Sequence, residues 1–93
     1  MNYAKRTDAN HSAVMRALRS CGWLAYDVSG TPGFFDAVAV RRGVVRFVEI
    51  KDGDKCPSAR RLTHQQEKLH EYFAQFGATV VILTGVDDAI RLS

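Results

Sequence analysis

The sequence predicts one α/β domain, a mixed β-sheet flanked by helices in the order αβββαβα, spanning residues 1–93. Three observations carry this. An apolar stripe of helical period opens the chain, two β-branched and aromatic runs separated by a Gly-containing turn follow, and a capped helix leads into a nearly all-apolar run. The length admits a single hydrophobic core and no second one. A composition of 46% hydrophobic and 25% charged residues excludes disordered and fibrous classes.

The first helix is expected from Asn10 to Cys21, with Ala13, Val14, Ala17, Leu18 and Cys21 on one face and Arg16 and Arg19 on the other. Asp8 or Asn10 can cap its start, and Gly22 stands where a left-handed residue ends a helix. Trp23 to Val28 reads as a strand, and Ser29 to Gly33 as a loop. Phe34 to Val40 and Val44 to Ile50 read as a hairpin closed by Arg41-Arg42-Gly43, three residues with a left-handed bulge position. Asp52 to Arg61 is polar and irregular. Thr63 opens a second helix, with Gln66 completing a capping box and Leu69, Tyr72, Phe73 and Phe76 forming its apolar stripe up to Gly77. Ala78 to Leu83 has the composition of a buried parallel strand, and Val86 to Leu92 closes the chain as a short helix.

The net charge of +3 is modest, but its distribution is not even. Arg41, Arg42, Arg46, Lys51, Lys55, Arg60 and Arg61 place 7 of the 13 Lys and Arg in one central stretch, which suits a polyanion. Cys21 and Cys56 have no metal-ligand spacing and are expected to be reduced thiols. The polar N-terminus lacks the apolar core of an export signal, and no run is long enough to span a bilayer. The expected location is the cytoplasm, bacterial or phage-infected.

The chemistry-bearing residues are Asp36 and, thirteen positions on, Glu49-Ile50-Lys51. Glu49 and Lys51 are two apart on one strand and leave the same face. A hairpin turning at Arg41 to Gly43 pairs residues whose numbers sum to roughly 84, which sets Asp36 near Val48 and beside Glu49. Adjacent carboxylates repel unless a cation or proton intervenes. Mg²⁺ answers that need, accepting one or two carboxylates and taking further ligands from water and substrate phosphate. Lys51 beside it can orient or deprotonate an attacking water, so the expected reaction is phosphodiester hydrolysis.

These residues, with Asp8-Ala9-Asn10, Gly30 to Asp36, Val48 to Gly53 and Ser58 to Gln66 in order along nearly the whole chain, resemble the virus-type replication-repair nuclease (VRR-NUC) group of the PD-(D/E)xK restriction-endonuclease-like superfamily. The resemblance implies a nuclease fold, Mg²⁺ or Mn²⁺ dependence and DNA substrates, often branched or four-way (Holliday) junctions. It makes Asp36 and Glu49 metal ligands together with the backbone carbonyl of Ile50, Lys51 the catalytic lysine, and Gln66 a residue reaching the site from the second helix. It also implies a small phage-type member acting as a homodimer, in keeping with a two-fold-symmetric junction and one metal site per chain. Two departures from the group's pattern stand out. Phe35 replaces the proline before the aspartate, and His11 stands where the group carries a glutamate. His11, or Asp8 nearby, is then the candidate for a further metal contact. Arg41, Arg42, Lys55, Arg60 and Arg61 are the candidate DNA contacts. The alternative reading is a nuclease-fold DNA-binding module with weakened catalysis, of which His11 would be the mark.

Overall fold

A computed structural model describes residues 8–93. The polar leader on which the expectation of an unexported chain rests, residues 1–7, lies outside the described residues.

Helix α1 (His11–Ser20) forms where Val14 and Leu18, one turn apart, and Met15 beside them can be buried together. No side chain caps its start. The Asp8 carbonyl accepts the His11 N–H, and Asn10 instead turns its amide to the Lys51 and Thr84 carbonyls, 3.1 Å from each. Asn10 therefore ties the helix to the ends of two strands, a task that sequence spacing cannot distinguish from capping.

Strands β1 (Leu24–Asp27), β2 (Ala37–Arg41), β3 (Val44–Ile50) and β4 (Val80–Leu83) make one sheet in the order β1-β2-β3-β4. The first two pairings are antiparallel and the last is parallel. The β2–β3 turn has two residues, not three: Arg41 pairs with Val44, and Arg42 (φ 51°) and Gly43 (φ 79°) are both left-handed. That is the primed turn whose twist matches the strands it joins. The correction moves the register by one, so Ala37 faces Val48, where the ladder ends; Asp36 lies just before it, with its N–H donating to the Val48 carbonyl at 3.0 Å. β2 also begins later than expected. Phe35 leaves the sheet to pack against Phe47 and Phe73 with ring centroids 5.2 and 5.0 Å away, and the chain bends there.

The main core lies on one face of the sheet. Val14, Met15 and Leu18 of α1 and Ala89 of α3 (Val86–Arg91) cover Ala25, Ala37, Ala39, Val48, Ile50 and Leu83. The small alanines of β1 and β2 let α1 approach closely. Helix α2 (His64–Gln75) lies on the other face, preceded by a 3₁₀ turn, Pro57–Arg60, in the stretch expected to be irregular. Its capping box is the one read from the sequence: Thr63 accepts the Gln66 N–H, and Gln66 returns its side chain to the Thr63 N–H. The apolar stripe of α2 is not core, however. Phe73 packs on Phe34, Phe35 and Phe47, whereas Tyr72 and Phe76 are 61% and 78% exposed. β4 is likewise an edge strand with Ile82 exposed, not the fully buried strand its composition suggested. Both cysteines are free thiols. No helix among the described residues is long and apolar enough to cross a membrane.

Candidate active site

All four strands present the same end here. β1 leaves at Asp27, β2 enters just after Asp36, β3 leaves through Glu49-Ile50-Lys51, and β4 leaves at Thr84. At the centre Asp36 and Glu49 are 4% and 1% exposed, an unusual depth for two carboxylates unless they are held by donors or a cation. Asp36 Oδ2 accepts the Ile50 N–H at 2.8 Å, which the bend before β2 makes reachable. Glu49 lies on the sheet face that α2 covers. Its Oε2 accepts from Gln66 Nε2 at 3.2 Å, and its Oε1 stands 3.3 Å from His70 Nε2. Lys51, half-buried, donates from Nζ to Gln66 Oε1 at 2.8 Å.

Gln66 thus joins three groups at once: the Thr63 backbone, the Lys51 ammonium and the Glu49 carboxylate. Capping and site roles are both present in one side chain. This network fixes Glu49 and Lys51 against α2.

His70 is not among the residues that the sequence singles out. It stands four residues after Gln66 and shares its helix face, and that spacing was the available signal. Burial first, and then the nearby Lys51 ammonium, hold its imidazole below the usual histidine range. His70 is therefore neutral near pH 7, a neutral partner beside Glu49.

His11, one candidate for a further metal contact, is buried. Its Nε2 stands 3.0 Å from Asp27 Oδ2. Burial works to raise the Asp27 carboxyl, but bonds from the Ser29 hydroxyl and N–H and from His11 outweigh it and bring the pKa down to about 2. Asp8, the other candidate for a metal contact, pairs with Lys55 at 3.2 Å. Among the described residues, no group of three or more His, Cys, Asp or Glu side chains stands ready to hold a metal ion. The acids gathered at the centre are Asp36 and Glu49.

The five arginines and lysines expected to meet DNA are divided by the fold. Lys55, Arg60 and Arg61 follow β3 out of the site, with Arg60 Nη1 donating to the Gly53 carbonyl at 3.2 Å. Arg41 and Arg42 are at the hairpin end, about 20 Å away along β3 at ~3.3 Å per residue. Arg41 is also engaged within the fold. It stacks over Trp23 at 4.3 Å and donates to the carbonyls of Cys21 and Leu92.

No protein-family model and no curated protein matches the sequence. Among solved structures, one described as a VRR_NUC domain superposes with a TM-score of 0.62 at 24% identity, covering 88% of this chain and 91% of that one. The chain therefore has the fold of a VRR-NUC domain, with Asp36, Glu49 and Lys51 at its strand ends.

Proposed function

We propose that this chain is a divalent-metal-dependent deoxyribonuclease that cuts branched DNA, four-way junctions above all, as a two-fold homodimer. The observation that carries the reading is the pair of buried carboxylates at one end of the sheet, Asp36 accepting the N–H of Ile50, the residue that follows Glu49, with the Lys51 ammonium tied to the same glutamine as Glu49. The fold it shares with a VRR_NUC domain supports the choice of a phosphodiester as the bond attacked.

The donor set suits a hard cation. Two carboxylates and the Ile50 carbonyl would hold Mg²⁺ or Mn²⁺, ions that bind oxygen and keep several waters. Buried atoms without partners nearby, His11 Nδ1 and Asn10 Oδ1, mark this strand end as polar space that the described residues do not fill. Bound there, such a cation would supply Lewis-acid chemistry toward the phosphate and toward water. The chain's own part is to position and to neutralise. Lys51, oriented by Gln66, places a positive charge beside the phosphate as negative charge builds on it. Lys55, Arg60 and Arg61 hold the neighbouring backbone phosphates, where salt-dependent affinity arises.

Cleavage of a panel of linear, flapped, forked and four-way DNA substrates tests this. Cutting with Mg²⁺ or Mn²⁺, none in EDTA, and a preference for the junction are expected. The alternative of a weakened DNA-binding module draws on the lack, among the described residues, of a ready three-residue metal group. Binding to the panel with no cutting in either metal would establish it.

A further inference from the structure

His70 and Phe35 have no part in the chemistry described so far, yet both are built into the wall of the site. His70 stands four residues after Gln66, so the two side chains leave the same face of α2 toward β3. The capping box fixes which way the Gln66 amide points. Its Oε1 accepts from the Thr63 N–H at 3.0 Å and from Lys51 Nζ at 2.8 Å, two groups that can only donate. Its Nε2 therefore gives a hydrogen to Glu49 Oε2 at 3.2 Å, and Glu49 Oε1 meets His70 Nε2 at 3.3 Å. The side chains of His70 and Glu49 are 13% and 1% exposed, so little water competes for this contact.

The imidazole ring is held as well as its nitrogen. Phe35, fully buried, stacks against it with centroids 5.3 Å apart and planes inclined by 31°. Phe35 is in turn met edge-on by Phe34 and Phe73, at 5.2 and 5.0 Å. The bend that brings Asp36 to the Ile50 N–H therefore also brings a flat ring against His70. The residue that replaces the group's proline is thus the seat of an imidazole. A single donor on one oxygen leaves a carboxylate free to swing about that bond, whereas a donor on each oxygen fixes its plane. A carboxylate offers about four lone-pair sites, so two hydrogens still leave a site open on each oxygen.

We propose that His70, seated on Phe35, is a positioning residue of the cleavage site: its Nε2–H donates to Glu49 Oε1 and, together with Gln66, sets the plane of the Glu49 carboxylate. The inference rests on the nuclease reading above and adds to it a residue that touches neither substrate nor cation. Its effect falls on the rate. Small misplacement of a group at the reacting centre is costly to the chemical step, whereas DNA is held by the wider basic surface.

Two measurements test it. In the metal-free protein at neutral pH, long-range hydrogen–nitrogen NMR correlation should show the His70 imidazole as one tautomer with its hydrogen on Nε2. A hydrogen on Nδ1, or a mixture of tautomers, overturns the inference. In single-turnover cleavage of a four-way junction with Mn²⁺, His70→Phe keeps a ring against Phe35 but has no donor. It should lose about tenfold in rate, with junction affinity held within about twofold. His70→Gln restores a donor and should recover to within about threefold of the wild-type rate. Thermal melts identify any loss that comes from misfolding. If His70→Phe does not fold, Phe35→Leu, which removes the seat and keeps the donor, carries the test with a rate loss of about threefold. A folded His70→Phe or, in its place, Phe35→Leu that cuts at the wild-type rate overturns the inference, as does a His70→Gln that loses as much as His70→Phe. Inactivity of Glu49→Gln leaves the nuclease reading standing in that case. A wild-type protein that cuts no DNA with Mg²⁺ or Mn²⁺ overturns both.

Discussion

Asp36 answers to two demands: its carboxylate faces the site, and its Oδ2 accepts the buried Ile50 N–H at 2.8 Å. Substitutions separate them. Asp36→Asn keeps an acceptor oxygen and is expected to change metal-free stability by less than about 0.5 kcal/mol, since it also removes one of two buried negative charges at this strand end. Asp36→Ala strands the Ile50 N–H and is expected to cost roughly 1–3 kcal/mol. Denaturant melts in EDTA distinguish the two, and equal losses would show that the hydrogen bond contributes nothing. The placing of Asp36, Glu49, Lys51 and Gln66 at one end of the sheet was legible in the sequence because two-residue strand alternation and three-residue cap spacing are local rules. His11–Asp27 and His70–Glu49 were not. They join residues 16 and 21 positions apart, and those partners are set by how α1 and α2 cross the strand ends.

Among the elements, β3 and α2 were readable nearly to the residue, because β-branched composition and a capping box mark their ends. The hairpin was off by one residue. Arg42 in a left-handed conformation is uncommon enough that sequence favoured a three-residue turn. Apolar content misled at α2 and β4, since a stripe shows which face is apolar but not whether anything covers it. Helix α3 offers an electrostatic test. Asp88 accepts from the Thr84 hydroxyl at 2.7 Å and from its N–H at 2.8 Å, and these two bonds hold its carboxyl below the ordinary value against the opposing effect of burial. A lowered native pKa gives stability that is present above the unfolded value, near 3.8, and is lost as pH falls through the native one. Asp88→Asn is expected to destabilise the fold by about 0.5–1 kcal/mol at neutral pH, with the gap closing in acid. Urea melts at neutral, mildly acidic and strongly acidic pH check this, and a gap constant with pH would assign the loss to packing.

On the scale of the whole molecule, the two faces of the sheet are unequal. One carries the core under α1 and α3. The other is covered by α2 around Phe47 and Glu49, leaving Leu24 and Tyr26 of β1 and Ile82 of β4 exposed, with Tyr72 and Phe76 bare on α2. Fold class and layer order were legible from periodicity, but the openness of this face was not, because it depends on where one short helix lands. A second copy of the chain is the occupant that the proposed junction cleavage calls for, since a closed two-fold pair supplies two sites for two strands. Light scattering should show a dimer at micromolar concentration, and Phe76→Asp should shift it to monomer without lowering thermal stability. A wild-type monomer that still cuts both strands in one binding event would contradict the assembly.

The most direct test of the whole account is single-turnover cleavage of a four-way junction by Lys51→Ala, with junction affinity measured on the same preparation. Lys51 is assigned to charge that develops during cleavage, and affinity is assigned to the wider basic surface. The account predicts that the cleavage rate falls by roughly 10²–10³-fold while affinity stays within a few-fold of wild type. A Lys51→Ala protein that binds and cuts at the wild-type rate would contradict it.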